Sequence, residues 1–350
     1  MRIRAGLYVL AASTLVASCS NQSTTNHTAP MPAAQYHVSA RNPGGQVISV
    51  ANYKGNSITS YPATSHGHRV PTSILSGSLT QIIGPLAVDL DPVGNIAVLG
   101  LNIVNIFPAG SNGNVPPIHQ IAGPATLINT AESMTIDHRG HIFVAGESMT
   151  IVHQGNIFVA GSASQPYILE FSGLEFGNVA PIAVIQGSNT GLGAPAAMTV
   201  DASDNIYVAN AGQGTAILGF KAGSNGNIKP FVNISGSNTC LQIDGGIAID
   251  QLGNIFVTCI PFSPRRSSIL EFAAGANGNA TPIAVISGPN TKLNNPSGVA
   301  IDAEGRIYGL DYVSNSIEVF AQGANGDVKP VQRILDPHAR LRRPIAVIVH

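Results

Sequence analysis

The 350-residue chain has no tryptophan, three cysteines and only 10% Asp, Glu, Lys and Arg. Without indole rings, a protein that stacks sugars on aromatic faces is a poor reading. The shortage of Glu, Lys and Arg argues against coiled coils and long solvated helices. A formal net charge of −1 excludes electrostatic affinity for nucleic acid or for an acidic membrane surface. The apolar stretch near the start, Ala5 to Ala17, is too short to span a bilayer as a helix. Turn-forming residues abound instead. There are 38 Gly and 23 Pro, together about 17% of the chain against an average near 12%. A hydrophobic share of 44% rules out wholesale disorder. The length fits two average domains or one large all-β propeller or barrel.

Residues 1–18 place Arg2 and Arg4 before the apolar run, as in a signal peptide. The run ends Leu15-Val16-Ala17-Ser18-Cys19, which resembles the bacterial lipobox; that resemblance implies a lipid on Cys19, the new N-terminus. An ordinary secretory cleavage with Cys19 incidental is the alternative. Acyl chains on Cys19 would anchor the protein to a membrane without a spanning helix. Ser20, rather than Asp, follows the Cys. By resemblance to the sorting rule of diderm bacteria, this implies the outer membrane wherever one exists. Residues 19–42 are polar and aperiodic, a flexible tether about 25 to 30 Å long on average. The other two cysteines, Cys240 and Cys259, would lie in an oxidising compartment. A hairpin turning at Gln251 to Gly253 puts Cys259 opposite Gly245, so a Cys240–Cys259 disulfide is reachable; two buried free thiols are the alternative.

The rest of the chain is a repeat. Gly94-Asn95-Ile96 recurs as Gly155-Asn156-Ile157, Asp204-Asn205-Ile206, Gly253-Asn254-Ile255 and Gly305-Arg306-Ile307. Between these strings sit Asn112-Gly113-Asn114, Gly177-Asn178, Asn225-Gly226-Asn227, Asn277-Gly278-Asn279 and Asn325-Gly326-Asp327. With Gly67 as a degenerate first member, the glycines are spaced by 46, 64, 49, 52 and 48 residues. The long gap contains a tandem copy of 15 residues, Ser133 to Glu147 and Ser148 to Ser162. Removing one copy restores a period of about 49, in the range of propeller blades.

Each repeat holds four short apolar runs. In the last these are Gly298 to Ile301 (strand a), Arg306 to Leu310 (b), Ser316 to Phe320 (c) and Val328 to Ile334 (d), with Asn325-Gly326 as a hairpin turn. Six such units without helical periodicity predict an all-β, six-bladed β-propeller of four-stranded antiparallel blades over residues 43–350. The pattern opens at strand b, Gln46 to Ala51, and ends on a lone strand a, Pro344 to Val349, so the C-terminal strand is expected to join the N-terminal blade. Small residues at Ala87, Thr135, Thr199, Ala248, Ala300 and Ala346 suit the crowded axis. Of the duplicated hairpins at 133–162, the second, which leads directly into strand c at Tyr167 to Phe171, is expected to be the integrated one.

Pro296-Ser297-Gly298-Val299-Ala300-Ile301-Asp302 through Gly305-Arg306-Ile307-Tyr308 resembles the NHL-repeat propellers. The resemblance covers residues 44 to 349. It implies the fold, while the family includes lyases, lactonase relatives and pure binding modules.

Candidate chemistry is thin. Asp89, Asp137, Asp201, Asp250 and Asp302 end strand a before Gly-containing turns, where Asp caps local backbone. His138, His141 and His153 read as turn residues, two of them copies of one position. At the channel mouth, Glu132 (with its duplicate Glu147), Asn210, Asp244 and Asp311 offer oxygens. Lactonase-type propellers, as a family, hold a divalent metal there with Glu, Asp and Asn, so these four are the candidate ligand or calcium site. No nucleophile elbow, P-loop or dinucleotide fingerprint appears. The reading is a lipid-anchored extracytoplasmic propeller of the cell envelope that binds a protein or small-molecule partner without catalysis or cofactor, and without nucleic acid. A monomer is expected. The alternative is a metal-dependent hydrolase or lyase of the lactonase or NHL-lyase kind.

Overall fold

A computed structural model describes residues 45–100, 102–128, 131–148, 165–211, 214–260, 267–335 and 340–350. The described strands form six antiparallel sheets in the order a-b-c-d from the centre outwards. The chain is an all-β six-bladed propeller. The signal peptide, Cys19 and the tether lie outside the described residues, as do His153 and residues 149–164 of the duplication.

The first blade is completed by the end of the chain. Pro344–Val349 is its innermost strand, paired with Val47–Asn52 from Ile48↔Val349 to Ala51↔Ala346. Strands c and d of that blade are Ser57–Pro62 and Ser73–Ser76. Main-chain bonds thus close the ring and cover the edge of Val47–Asn52 that would otherwise stand open.

Alternation explains the packing between blades. Strand c ends in one aromatic residue per blade: Tyr61, Phe107, Phe171, Phe220, Phe272 and Phe320, each no more than 1% exposed. Each stabilises its blade junction by about 1.5–3 kcal/mol through burial.

The Asn-Gly-Asn strings are not tight hairpin turns. Strand d of the sixth blade is Gln332–Leu335, well after Gly326. The intervening loop reaches sideways, and Gly326, with φ of 77°, forms a parallel bridge to Ile286 of the fifth blade. The same bridge joins Gly113 to Leu75, Gly177 to Ile121, Gly226 to Ile185 and Gly278 to Ile234. The side chain after each glycine accepts a main-chain N–H from the preceding blade: Asn114 from Leu79, Asn178 from Ala125, Asn227 from Asn189, and Asp327 from Asn290, all at 2.7 Å, and Asn279 from Asn238 at 2.8 Å. Only left-handed backbone lets these loops turn back, which is why glycine recurs.

Two further expectations are corrected. The integrated hairpin is the first copy: Ala131–Ile136 and Ile142–Ser148 pair with each other, and the latter pairs with strand c, Gln165–Phe171. The turn supplies the reason. Asp137 Oδ1 accepts the N–H groups of Arg139 and His141 at 2.9 and 2.8 Å, whereas the second copy has Val152 in that place. The Cys240–Cys259 disulfide is not formed, because Cys259 is a free, buried thiol. A bulge between Ile243 and Ile247 sets Cys259 opposite Ile243, with its side chain in an apolar cluster beside Val257 and Leu270. Cys240 sits in left-handed backbone (φ 56°) after the short 3-10 turn Ser237–Thr239.

Candidate functional site

The six strands a surround a central channel of about 1380 Å³. Two successive rings of residues line it. One consists of Ala87, Ser133, Ala197, Gly246, Gly298 and Ala346. The register of strand a on strand b places Asp89, Thr135, Thr199, Ala248, Ala300 and Ile348 in the second. The expected taper mixed these rings, since Ala87 and Ala346 belong two residues earlier. Counting back from the turn-capping aspartates gives the correct set. In the second blade the cap is Asp91, which accepts the Val93 and Asn95 N–H groups at 3.0 and 2.8 Å.

Asp89 is therefore no turn residue. It is the one acid in its ring, half-buried and reached from the channel. Its Oδ2 accepts the Thr135 hydroxyl at 3.1 Å and the Ile136 N–H at 2.9 Å, across the junction with the third blade. Its Oδ1 accepts the N–H of Leu90 at 2.8 Å. Burial pushes its carboxyl up to about 6, against the opposing pull of the hydrogen bonds from Ile136, Leu90 and Thr135. The sequence carried the signal: two acids flank Leu90, and only the second precedes the Gly94-Asn95 turn.

Of the four candidate mouth residues, Asn210 and Asp311 have their oxygens taken by main-chain N–H groups. Glu132 is exposed and lines the channel. Asn210, fully buried, accepts the Gly193 N–H at 2.7 Å. Asp311, also fully buried, accepts three: Asn294 at 2.6 Å and Asn295 at 2.8 Å through Oδ2, and Ser314 at 2.7 Å through Oδ1. Asn52 occupies the equivalent place and accepts the Arg342 N–H at 3.1 Å. These residues end strand b and hold the loop that enters strand a. Asp244 lies in the strand Ile243–Ile249, its side chain outside the described residues. Among the described residues no three His, Cys, Asp or Glu side chains gather closely enough to hold a metal ion.

Toward the opposite mouth, Asp137, Asp201, Asp250 and Asp302 cap their turns as expected. The histidines there are paired rather than simply solvated. His138 Nδ1 lies 2.8 Å from Asp204 of the next blade, and His141 Nδ1 lies 3.1 Å from both Asp137 and Glu170. Burial raises the Glu170 carboxyl, with His141 pulling the other way.

No protein-family model and no curated protein matches the sequence. Solved structures do share the architecture. A Bacteroides caccae protein of unknown function aligns over 87% of this chain and 98% of its own at 11% identity, with a TM-score of 0.60. A putative 6-phosphogluconolactonase from Bacteroides uniformis aligns over 88% and 100% at 14% identity and a TM-score of 0.52. The periplasmic gluconolactonase of Pseudomonas aeruginosa aligns over 87% and 98% at 12% identity and a TM-score of 0.53. These likenesses establish the propeller fold.

Proposed function

We propose that the protein is an NHL-like, lipid-anchored extracytoplasmic propeller that binds a ligand in its central channel without catalysis. The observation that carries the reading is the use of Asn210 and Asp311 as loop staples, their oxygens taken by main-chain N–H groups. The channel supplies a concave site, and at about 1380 Å³ it exceeds the roughly 300–1,000 Å³ of an ordinary small-ligand pocket, so a small ligand would fill part of it. The lipobox-like segment ending at Cys19 supports the anchor, and Ser20 supports outer-membrane sorting. Metabolic labelling with a fatty acid should mark the wild type, and Cys19→Ala should lose the label and leave the membrane fraction. A Cys19→Ala protein still labelled in the membrane overturns the anchor.

The second reading, a metal-dependent lactonase or lyase, is favoured by the names of some neighbours and by exposed Glu132 at the mouth. Thermal melts of the full chain with calcium and then with excess chelator, beside hydrolysis assays on gluconolactone, separate the two. Binding to the folded state raises the melting temperature by mass action. The binding reading expects no calcium-dependent shift and no hydrolysis; calcium-dependent hydrolysis overturns it.

A further inference from the structure

The channel wall is electrically one-sided. Its titratable side chains include four carboxylates: Glu132 near one mouth, Asp89 within, and Asp91 and Asp137 toward the other mouth. Among the described residues neither lysine nor arginine lines it. The facing bases are His138, already bonded to Asp204, and His350, 3.1 Å from the Ser49 hydroxyl and held toward its neutral form by burial. Asp91 and Asp137 are engaged in turn caps. Asp89 has hydrogen-bond donors and no ion-pair partner among the described residues.

We propose that the channel binds a small organic cation, an amine or alkylammonium ion, seated against Asp89. The proposal rests on the binding-module reading and names its ligand class. A cleft with low-dielectric walls, lined by one sign of charge, concentrates the opposite charge. A divalent metal fits poorly, because calcium takes six to eight oxygens and here a single carboxylate is offered, already accepting three hydrogen bonds. The rest of the two rings is Ala, Gly, Thr, Ser and Ile, small uncharged residues that leave room beside Asp89 for an alkylammonium group. An ammonium beside Asp89 supplies the charge partner that its blade junction does not.

The test uses the full chain in detergent with choline chloride as probe, 3,3-dimethylbutan-1-ol as its neutral isostere, and potassium chloride at matched ionic strength. At pH 7.5 choline should raise the melting temperature beyond the salt control, and the isostere should not. Asp89→Asn keeps an acceptor oxygen and should weaken the choline effect by about tenfold or more. Thr199→Lys places a tethered ammonium in the same ring and should abolish it; the far-ultraviolet spectrum of each variant reports whether the blades persist. At pH 5, where Asp89 is largely protonated, the wild-type shift should shrink. A choline effect unchanged in both variants, or absent from the wild type, overturns the proposal. Stabilisation by the neutral isostere alone overturns it while leaving the binding reading intact. Calcium-dependent gluconolactone hydrolysis strikes the binding reading instead.

Discussion

Asn227 Oδ1 accepts the main-chain N–H of Asn189 at 2.7 Å, and this bond pins the fourth blade to the third. The space is tight: a Cβ on Gly187 (φ 122°) would stand 2.5 Å from Asn227 Cγ. Gly187→Ala should therefore cost about 2 kcal/mol or more in denaturant melts, from backbone strain and collision together. In an Asn227→Gly background the same change should cost less, because one of its two causes is gone.

The duplicated hairpin gives an asymmetric deletion pair. Removing 148–162 retains Asp137 and should leave the melting temperature unchanged. Removing 133–147 puts Val152 where Asp137 caps the turn, and should cost about 1–2 kcal/mol. Equal stability of the two deletions would refute the role given to Asp137.

Asp89 should make stability depend on pH. Its carboxyl sits at about 6 in the fold against an ordinary 3.8, so the folded state holds the proton more tightly. Its stabilising contribution is complete below about 4 and is lost as pH rises through about 6. Buried Glu170 and Glu318 and half-buried Glu271 shift in the same direction, so the useful quantity is wild type minus Asp89→Asn. Allowing for screening by channel water, that difference should change by about 1–2 kcal/mol between pH 4 and pH 7.

Truncation before Pro344 removes the innermost strand of the first blade. Val347 is 8% exposed and sits in the cluster with Tyr61 and Tyr308. The shortened chain should lose its cooperative melt and associate through the uncovered edge, as gel filtration would show.

Cys259 should resist thiol reagents in the native state. It is 2% exposed and burial pushes its thiol up to about 12, so labelling at pH 8 should wait on unfolding. Prompt labelling of Cys259 by a disulfide reagent in native protein would contradict its placement.

The blade count, the strand order and the C-terminal closure were legible because period and turn chemistry are local properties of sequence. Register was harder. A slip of two preserves the face of a strand, so Ala87 could stand in for Asp89 without disturbing the alternation of apolar residues. The duplicated hairpin was ambiguous for a similar reason: the copies share their strand residues, and Asp137 against Val152 was the informative difference. The Asn-Gly-Asn strings were recognised as turns, but their partners lie 35 to 53 residues away, beyond the reach of a local rule. Asn210 and Asp311 showed the right oxygen chemistry, while only the folded loops reveal how those oxygens are already occupied.

The five Asn or Asp latches leave one junction built differently. Where the sixth blade meets the first, Gly67 is flanked by His66 and His68, and the short strand Gly67–His68 runs parallel to Gln332–Leu335. Gln332 reaches across to the carbonyls of Ala63 and Ser65, and Arg306 to Gln46. Blades in a circle hold only while every junction holds, and this one is held by different side chains from the other five. A load applied between blades would meet, at this seam, side-chain bonds from Gln332 and Arg306 in place of an Asn or Asp latch.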